Sequence, residues 1–236
     1  MKIKTFTHGR LKSSALLLII TSIVFSAFGQ EHFALGVKGG LNLSTLRGDQ
    51  ISELEENALV DAGGRLRGRV YSSYGGGLLF RWVFKENFLA IQTELLLNRA
   101  GKKWKCPSGD ISLHTDYLSF PLLFVLMVPM DVLRPHISAG AVGMYALRSK
   151  AENVGWVSSE SETFISNFSE ADATDHVRRM DVGLMVGVGC DIAVARGAFV
   201  LDIRYQLGLM DVYMLDGGER IKNSAFSAST GYTLYF

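Results

Sequence analysis

Cysteine, proline and long hydrophobic runs are all scarce in this chain, and each scarcity narrows the classes of protein it can belong to. The 236 residues include two cysteines and four prolines. Two cysteines cannot build the dense disulfide framework of a small secreted scaffold. Beyond residue 29, the most apolar stretch is 117–130, which Pro121 and Pro129 interrupt. It is shorter than the ~20 residues that a membrane-spanning helix needs, so no such helix is predicted there.

An excess of either charge is also missing. Lys and Arg total 24 against 23 Asp and Glu, a formal net charge of +1. This balance offers no basic surplus for nucleic acid, and no nucleic-acid partner is predicted. No cofactor is predicted, and no metal site either, because the spacing of His114 and His176 matches no known ligand pattern.

The first 29 residues have the features of a secretory signal peptide. Four basic residues, Lys2, Lys4, Arg10 and Lys12, precede an apolar run at 16–25, and small residues follow at 27 and 29. We expect cleavage after Gly29, which leaves one domain at 30–236 with a net charge of −3. The alternative is an uncleaved anchor helix, which the shortness of the run and the cleavage site disfavour.

Period-two alternation dominates the rest of the chain and predicts strands. Eight alternating segments occur, at about 33–45, 70–84, 88–102, 114–127, 134–147, 179–194, 198–210 and 223–236. The last carries Phe226, Tyr232, Leu234 and Phe236 on one face and keeps the pattern to the final residue. We interpret these four residues as a closing-strand signal for membrane insertion, read by the barrel-assembly machinery.

The connections between these segments are alternately long and short. The stretches 45–69, 104–113, 148–178 and 211–222 are long, whereas those near residues 86, 131 and 196 are short. Short periplasmic turns and long extracellular loops are typical of outer-membrane barrels. The fold class predicted is therefore all-β, an eight-stranded antiparallel transmembrane barrel in up-and-down order. Cys106 and Cys190 then lie at opposite ends, and we expect both to be free.

A soluble barrel with the reverse orientation is the alternative. The polar face of the segments is also rich in Gly and Ala, for example Gly36, Gly40, Gly187 and Gly189. A narrow interior needs small residues, whereas a solvated surface does not. The apolar face is therefore expected to contact outer-membrane lipid. Pro121 falls on the inner face, where we expect a bulge or a local break.

Charged and amide side chains fall on this inner face near mid-strand. They are Lys38, Asn42, Gln92, Glu94, Asp202, Arg204 and Gln206. Charges in a narrow lumen are costly unless paired, so we expect a salt-bridge plug with Glu94 opposite Arg204 and Lys38 near Asp202. The functional alternative is a selective pore or a proton path.

Five short motifs occur in order along the segments: GVKGGLN at 36–42, QTELL at 92–96, YLSFPL at 117–122, RPHISAG at 134–140 and YQLGL at 205–209. Together they resemble the PorT-type outer-membrane β-barrel family of Bacteroidetes. The resemblance covers nearly the whole chain after residue 29. It implies the barrel fold and, for a function, a link to type IX protein secretion and to secretion-system proteins as partners.

Three function classes remain open on sequence alone. The first is a structural or interaction protein acting through loops 45–69 and 148–178, and the second is a small passive channel. The third is an outer-membrane enzyme using rim residues, for which the candidates are His114, Asp116, Asp175, His176 and Asp211. No serine is placed as a nucleophile among them, so we predict that the protein is not an enzyme.

Membrane assembly should depend on the last strand. Phe236→Asp, or deletion of residues 235–236, should block assembly, because the closing strand is no longer recognised and its lipid face gains a charge. Fractionation of the outer membrane and the heat-modifiable gel shift measure this. A variant that still fractionates with the outer membrane and keeps its gel shift would contradict the interpretation.

Overall fold

The computed structural model describes residues 33–48, 51, 67–84, 88–106, 109–152, 177–212 and 221–236. Within them, eight strands form one closed antiparallel barrel in sequence order, with β1 paired to both β2 and β8. The strands are β1 Phe33–Arg47, β2 Arg67–Phe84, β3 Leu89–Cys106, β4 Gly109–Met127, β5 Leu133–Glu152, β6 Met180–Val194, β7 Gly197–Gly208 and β8 Lys222–Tyr235. The predicted fold class is confirmed. The signal segment, the turn at 85–87 and most of the loops at 45–69 and 148–178 lie outside the described residues.

The outer surface of the barrel is apolar on every strand. One large hydrophobic residue from each strand, in order Val37, Phe80, Leu97, Phe124, Ile137, Val186, Ile203 and Phe226, is between 42% and 60% exposed. An exposed apolar surface that encircles a protein is stable in lipid and not in water. The predicted assignment of faces is confirmed. No helix within the described residues is long and apolar enough to cross a membrane.

Aromatic side chains gather on the outer face at the short-turn end. Phe33 stacks on Trp82 with ring centroids 5.7 Å apart, and Phe199 meets Tyr232 edge-on at 5.1 Å. Rings at this height suit the boundary between hydrocarbon and headgroups. The backbone N–H of Phe236 donates to the carbonyl of Phe33 at 2.8 Å, so the final residue takes part in closing the barrel.

The predicted long loop at 104–113 is wrong. Strands β3 and β4 continue through it as a hairpin, with pairs up to Cys106 and Gly109, and only residues 107–108 connect them. Inside this hairpin Trp104, Ile111 and Leu113 are buried. The outward residues of this hairpin, such as Lys103, Lys105 and Asp110, are polar, so the apolar outward pattern of the membrane-spanning strands does not continue through it. Above the membrane, the outer face of a strand meets water and its inner face packs into an apolar core.

Pro121 interrupts the β3–β4 ladder, as predicted. The pairs Thr93–Leu122 and Leu96–Ser119 share one register, and the positions between them are unpaired. Proline has no N–H to donate, so a local break without a bulge is the expected result. A register shift occurs instead beside Asp116, between β4 and β5.

The two cysteines should not be joined in the folded protein. Cys190 is a free thiol near the short-turn end, whereas the backbone of Cys106 lies at the tip of the β3–β4 hairpin. A barrel about 25 Å tall separates the two ends, and bridged Cα atoms lie within about 7 Å of each other. Non-reducing peptide mapping should therefore find no 106–190 disulfide, and finding one would overturn the strand order.

A charged ring inside the barrel as the candidate site

The four inward charges singled out from the sequence meet in the barrel interior. Arg204 donates to the carboxylate of Glu94 at 2.9 Å and to Asp202 at 2.7 Å. Lys38 donates to Asp202 at 2.8 Å and to Glu94 at 3.2 Å. Each carboxylate thus faces two cations, and all four residues are buried. Both predicted pairs are present, and they form one cluster.

Three further residues extend this cluster on the short-turn side. Arg81 pairs with Asp191, and Arg81 Nε donates to Gln92 Oε1 at 2.7 Å. His136 lies between two carboxylates, with Nε2 at 2.9 Å from Asp202 Oδ1 and Nδ1 at 3.5 Å from Asp191 Oδ1. The second carboxylate of the cluster, Glu94, accepts a hydrogen bond from Gln92.

These contacts close into a continuous ring of side chains, which we call the charged ring. It consists, in contact order, of Arg81, Asp191, His136, Asp202, Lys38 with Arg204, Glu94 and Gln92. Three cations face three carboxylates, so the ring is neutral when His136 is neutral. Balanced charge with shared hydrogen bonds is the condition under which buried ions are tolerated.

Two glycines of β6 make room for the ring. A Cβ at Gly189 would lie 2.4 Å from His136 Nε2 and 2.6 Å from Asp202 Oδ1. A Cβ at Gly187 would lie 2.6 Å from Arg204 Cγ. His136 on β5 and Asp202 on β7 therefore contact each other directly across β6, because Gly189 of β6 has no side chain between them.

The sequence reasoning missed Arg81, Asp191 and His136. All three alternate inward, which is the available signal, but the predicted network contains only inward residues near mid-strand. Strands of a barrel tilt, so residues at different distances from strand ends reach the same height. Of the remaining predicted residues, Asn42 donates to the carbonyl of Arg99 and Gln206 to Met144 Sδ, so neither belongs to the ring.

A hydrophobic cluster fills the interior on the long-loop side of the ring. Its buried members there include Leu46, Ile51, Trp104, Ile111, Leu113, Tyr117, Val177, Val212 and Ile221. A cavity of about 50 Å³ beside Lys38, Arg204 and Gln206 has room for a few water molecules and is far smaller than a channel. Polar and apolar side chains together therefore fill the lumen.

The three candidate rim residues that the structure describes, His114, Asp116 and Asp211, do not form one site. His114 stacks on Tyr71 with ring centroids 5.2 Å apart, and Asp116 is ion-paired with Arg99. Asp211 follows β7, three strands from β4 around the barrel. Asp175 and His176 lie outside the described residues. Among the described residues, no group of three or more His, Cys, Asp or Glu could hold a metal ion.

An apolar exterior, a closed antiparallel wall and a filled polar interior define an integral outer-membrane β-barrel. The comparison with family models agrees, since the model described as "outer membrane protein beta-barrel domain" matches residues 28–214. The chain belongs to this family, which supports an outer-membrane location. No curated protein matches the chain.

Solved structures similar to the chain are small outer-membrane barrels of low sequence identity. OprG of Pseudomonas aeruginosa is 14% identical, with 88% of this chain and 98% of that one covered and a TM-score of 0.47. Neisserial surface protein A is 12% identical, with 86% and 97% covered and a TM-score of 0.47. The outer membrane protease OmpT of Escherichia coli is 10% identical, with 89% and 98% covered and a TM-score of 0.43. At this level of similarity, none of these proteins indicates a function for the chain.

The ring should behave as one coupled unit in stability measurements. Glu94→Gln leaves an uncompensated positive charge, and Arg204→Met leaves a negative one. Each should lower the free energy of unfolding in detergent by about 3 kcal/mol. The double variant restores the balance and should cost less than the sum of the single changes.

The midpoint of the heat-modifiable gel shift measures these effects. Gln206→Met is the matched control, because it removes an inward polar side chain that does not belong to the ring. It should cost less than either single variant. Additive losses in the double variant would show that Glu94 and Arg204 are not coupled.

Proposed function

We propose that this protein is a sealed outer-membrane barrel that acts as a structural or interaction component through its extracellular side. The filled lumen is the observation that carries the proposal. A charged ring and a hydrophobic cluster occupy the interior, which disfavours transport through the barrel. Function is then left to the surfaces that face the outside of the cell.

A link to protein secretion of the type IX kind is the specific role proposed. It rests on the resemblance of the five ordered motifs to the PorT-type family. Three of these motifs, at 36–42, 92–96 and 134–140, contribute Lys38, Gln92, Glu94 and His136 to the ring. Secretion-system proteins are the corresponding partners. The motifs lie within the barrel wall, so they support the shared scaffold more strongly than the shared role.

A passive channel is the second candidate, and an enzyme the third. The cavity of about 50 Å³ next to the ring is the one feature here that favours a channel. Against an enzyme, two of the described rim residues are engaged in structural contacts, since Asp116 is ion-paired with Arg99 and His114 stacks on Tyr71. The proposal is therefore a protein without catalytic activity.

The channel candidate is tested by conductance in planar bilayers. Purified wild-type protein should give no steady single-channel currents, because paired charges and apolar side chains block the lumen. A porin added afterwards to the same membrane shows that currents would have been detected. Steady currents from the wild type would move the protein to the channel class and make the charged ring its selectivity filter.

The interaction role is tested by affinity purification from native outer membranes. One variant replaces residues 153–176 with a short Gly-Ser linker, and a matched control replaces residues 85–87 on the short-turn side. We expect a reproducible set of co-purifying outer-membrane proteins with the wild type and the control, and its loss with the loop variant. Secretion of exported cargo should fail in parallel, and normal secretion would contradict the specific role.

A further inference from the structure

The barrel wall rises above the membrane on one side only. Strands β3, β4 and β5 are 18, 19 and 20 residues long, against 12 to 15 for β1, β6, β7 and β8. Because about 9–11 residues span the hydrocarbon, the longer strands together with β2 continue well beyond it on the long-loop side. The result is a raised sheet whose outer face stands directly above lipid.

Basic side chains cover the outer face of this raised sheet. Arg67 is the cross-strand partner of Lys105, and Arg69 is the partner of Lys103. On β3, Lys102 and Trp104 alternate with Lys103 and Lys105 and are buried, so Lys103, Lys105 and their arginine partners lie on the outer face. On β5, Arg148 and Lys150 flank the buried Ser149. We call these six residues, Arg67, Arg69, Lys103, Lys105, Arg148 and Lys150, the basic face.

Like charges placed directly opposite each other on a sheet destabilise it. Both cross-strand pairs of β2 and β3 on the basic face are cation against cation. Two carboxylates of β4 also meet this face: Asp110 Oδ2 lies 3.8 Å from Lys103 Nζ, and Asp116, the cross-strand partner of Arg148, is ion-paired with Arg99. Four exposed cations facing each other in two rows therefore favour a bound anion with more than one negative group.

A groove lies at the base of the basic face. The ladder between β2 and β3 stops after Val70–Lys102 and resumes at Gly76–Leu97, with one extra residue in β2. Where the β2–β3 ladder is interrupted, side chains of neighbouring strands form hydrogen bonds with the backbone of β3. For example, Ser73 Oγ donates to the carbonyl of Arg99 at 2.8 Å. The groove has a volume of about 540 Å³.

The lining of the groove is apolar at the end nearer the membrane and polar at the end nearer the basic face. Leu97 and Tyr74 lie at its lower end, continuous with the lipid-facing surface, and Arg99 with Asp116 lies at its upper end. A molecule held here would place an apolar part against Leu97 and Tyr74 and a polar part against the basic face. That arrangement fits an amphiphile already anchored in the outer leaflet.

We propose that the basic face and the groove below it bind the phosphorylated headgroup of an outer-leaflet lipid. Phosphate oxygens accept hydrogen bonds from Arg and Lys and neutralise the two rows of like charges. The acyl chains stay in the leaflet, beside the apolar end of the groove. Anchoring in the membrane distinguishes this occupant from a soluble polyanion, which would gain nothing from the apolar surface.

The test uses the purified full chain in nonionic detergent, titrated with diphosphoryl lipid A. Native mass spectrometry counts bound lipid, and the heat-modifiable gel shift gives the unfolding midpoint, which a ligand of the folded state raises. Neutralising both rows, with Arg67→Gln, Arg69→Gln, Lys103→Gln and Lys105→Gln combined, should weaken binding at least about tenfold. It should also remove the rise in the midpoint.

The matched control neutralises another cross-strand cation pair at the long-loop end, Arg47 and Lys222, with Arg47→Gln and Lys222→Gln. This pair lies on β1 and β8, outside the β2–β5 sheet that carries the basic face and the groove, so lipid binding should stay within about twofold of the wild type. Equal loss in both variants would reduce the effect to general electrostatics and overturn the proposal.

Two further titrations identify the chemistry of the occupant. Lipid A without its phosphates should bind weakly, and equal binding would assign the site to the acyl chains alone. Inositol hexakisphosphate, a soluble polyphosphate, should bind more weakly than the lipid, and equal or tighter binding would replace the lipid with a soluble polyanion. Higher salt should weaken lipid binding by the wild type and have less effect on the variant with both rows neutralised.

Discussion

Charge neutrality inside a narrow wall is the constraint on which the rest of this structure depends. An eight-stranded barrel has an interior just wide enough for side chains to fill. Buried ions there cannot rely on water and must satisfy one another. Three cations and three carboxylates balance one another in number, and His136 and Gln92 complete the chain of contacts. Removing any one of the six charged side chains leaves the other five out of balance.

The ring in turn explains the composition of the wall beside it. Side chains on β5 and β7 can touch only if β6 presents nothing between them, and Gly187 and Gly189 meet that need. The absence of a side chain at Gly187 and Gly189 therefore follows from the size of the ring residues His136 and Arg204. The larger neighbours of these glycines on β6, Val186 and Val188, lie on the outer face, where lipid imposes no limit on their volume.

Sequence reasoning was most successful where a strand separates lipid from the lumen. There, apolar and polar residues alternate with a fixed phase, and the strands, their order and the inward position of Lys38, Glu94, Asp202 and Arg204 could be read directly. The complete ring could not be predicted, because the tilt of the strands determines which inward residues of different strands lie at the same height in the barrel. Arg81 and Asp191 illustrate this, since their contact joins residues 110 positions apart in the sequence.

The same reasoning failed where the surroundings of the strand change. Along β3, outward residues pass from Leu95 and Leu97 to Lys103 and Lys105, while inward residues pass from Gln92 and Glu94 to Ala100 and Trp104. Residues still alternate with a period of two, but polar residues now point outward and apolar residues inward. The reversal occurs because water replaces lipid outside the barrel and apolar packing replaces the charged ring inside it. The position of this reversal marks the edge of the hydrocarbon layer. Above it, the barrel resembles a soluble β-sheet with an apolar core, and its outer face is free to carry the charges that a lipid-facing strand must exclude.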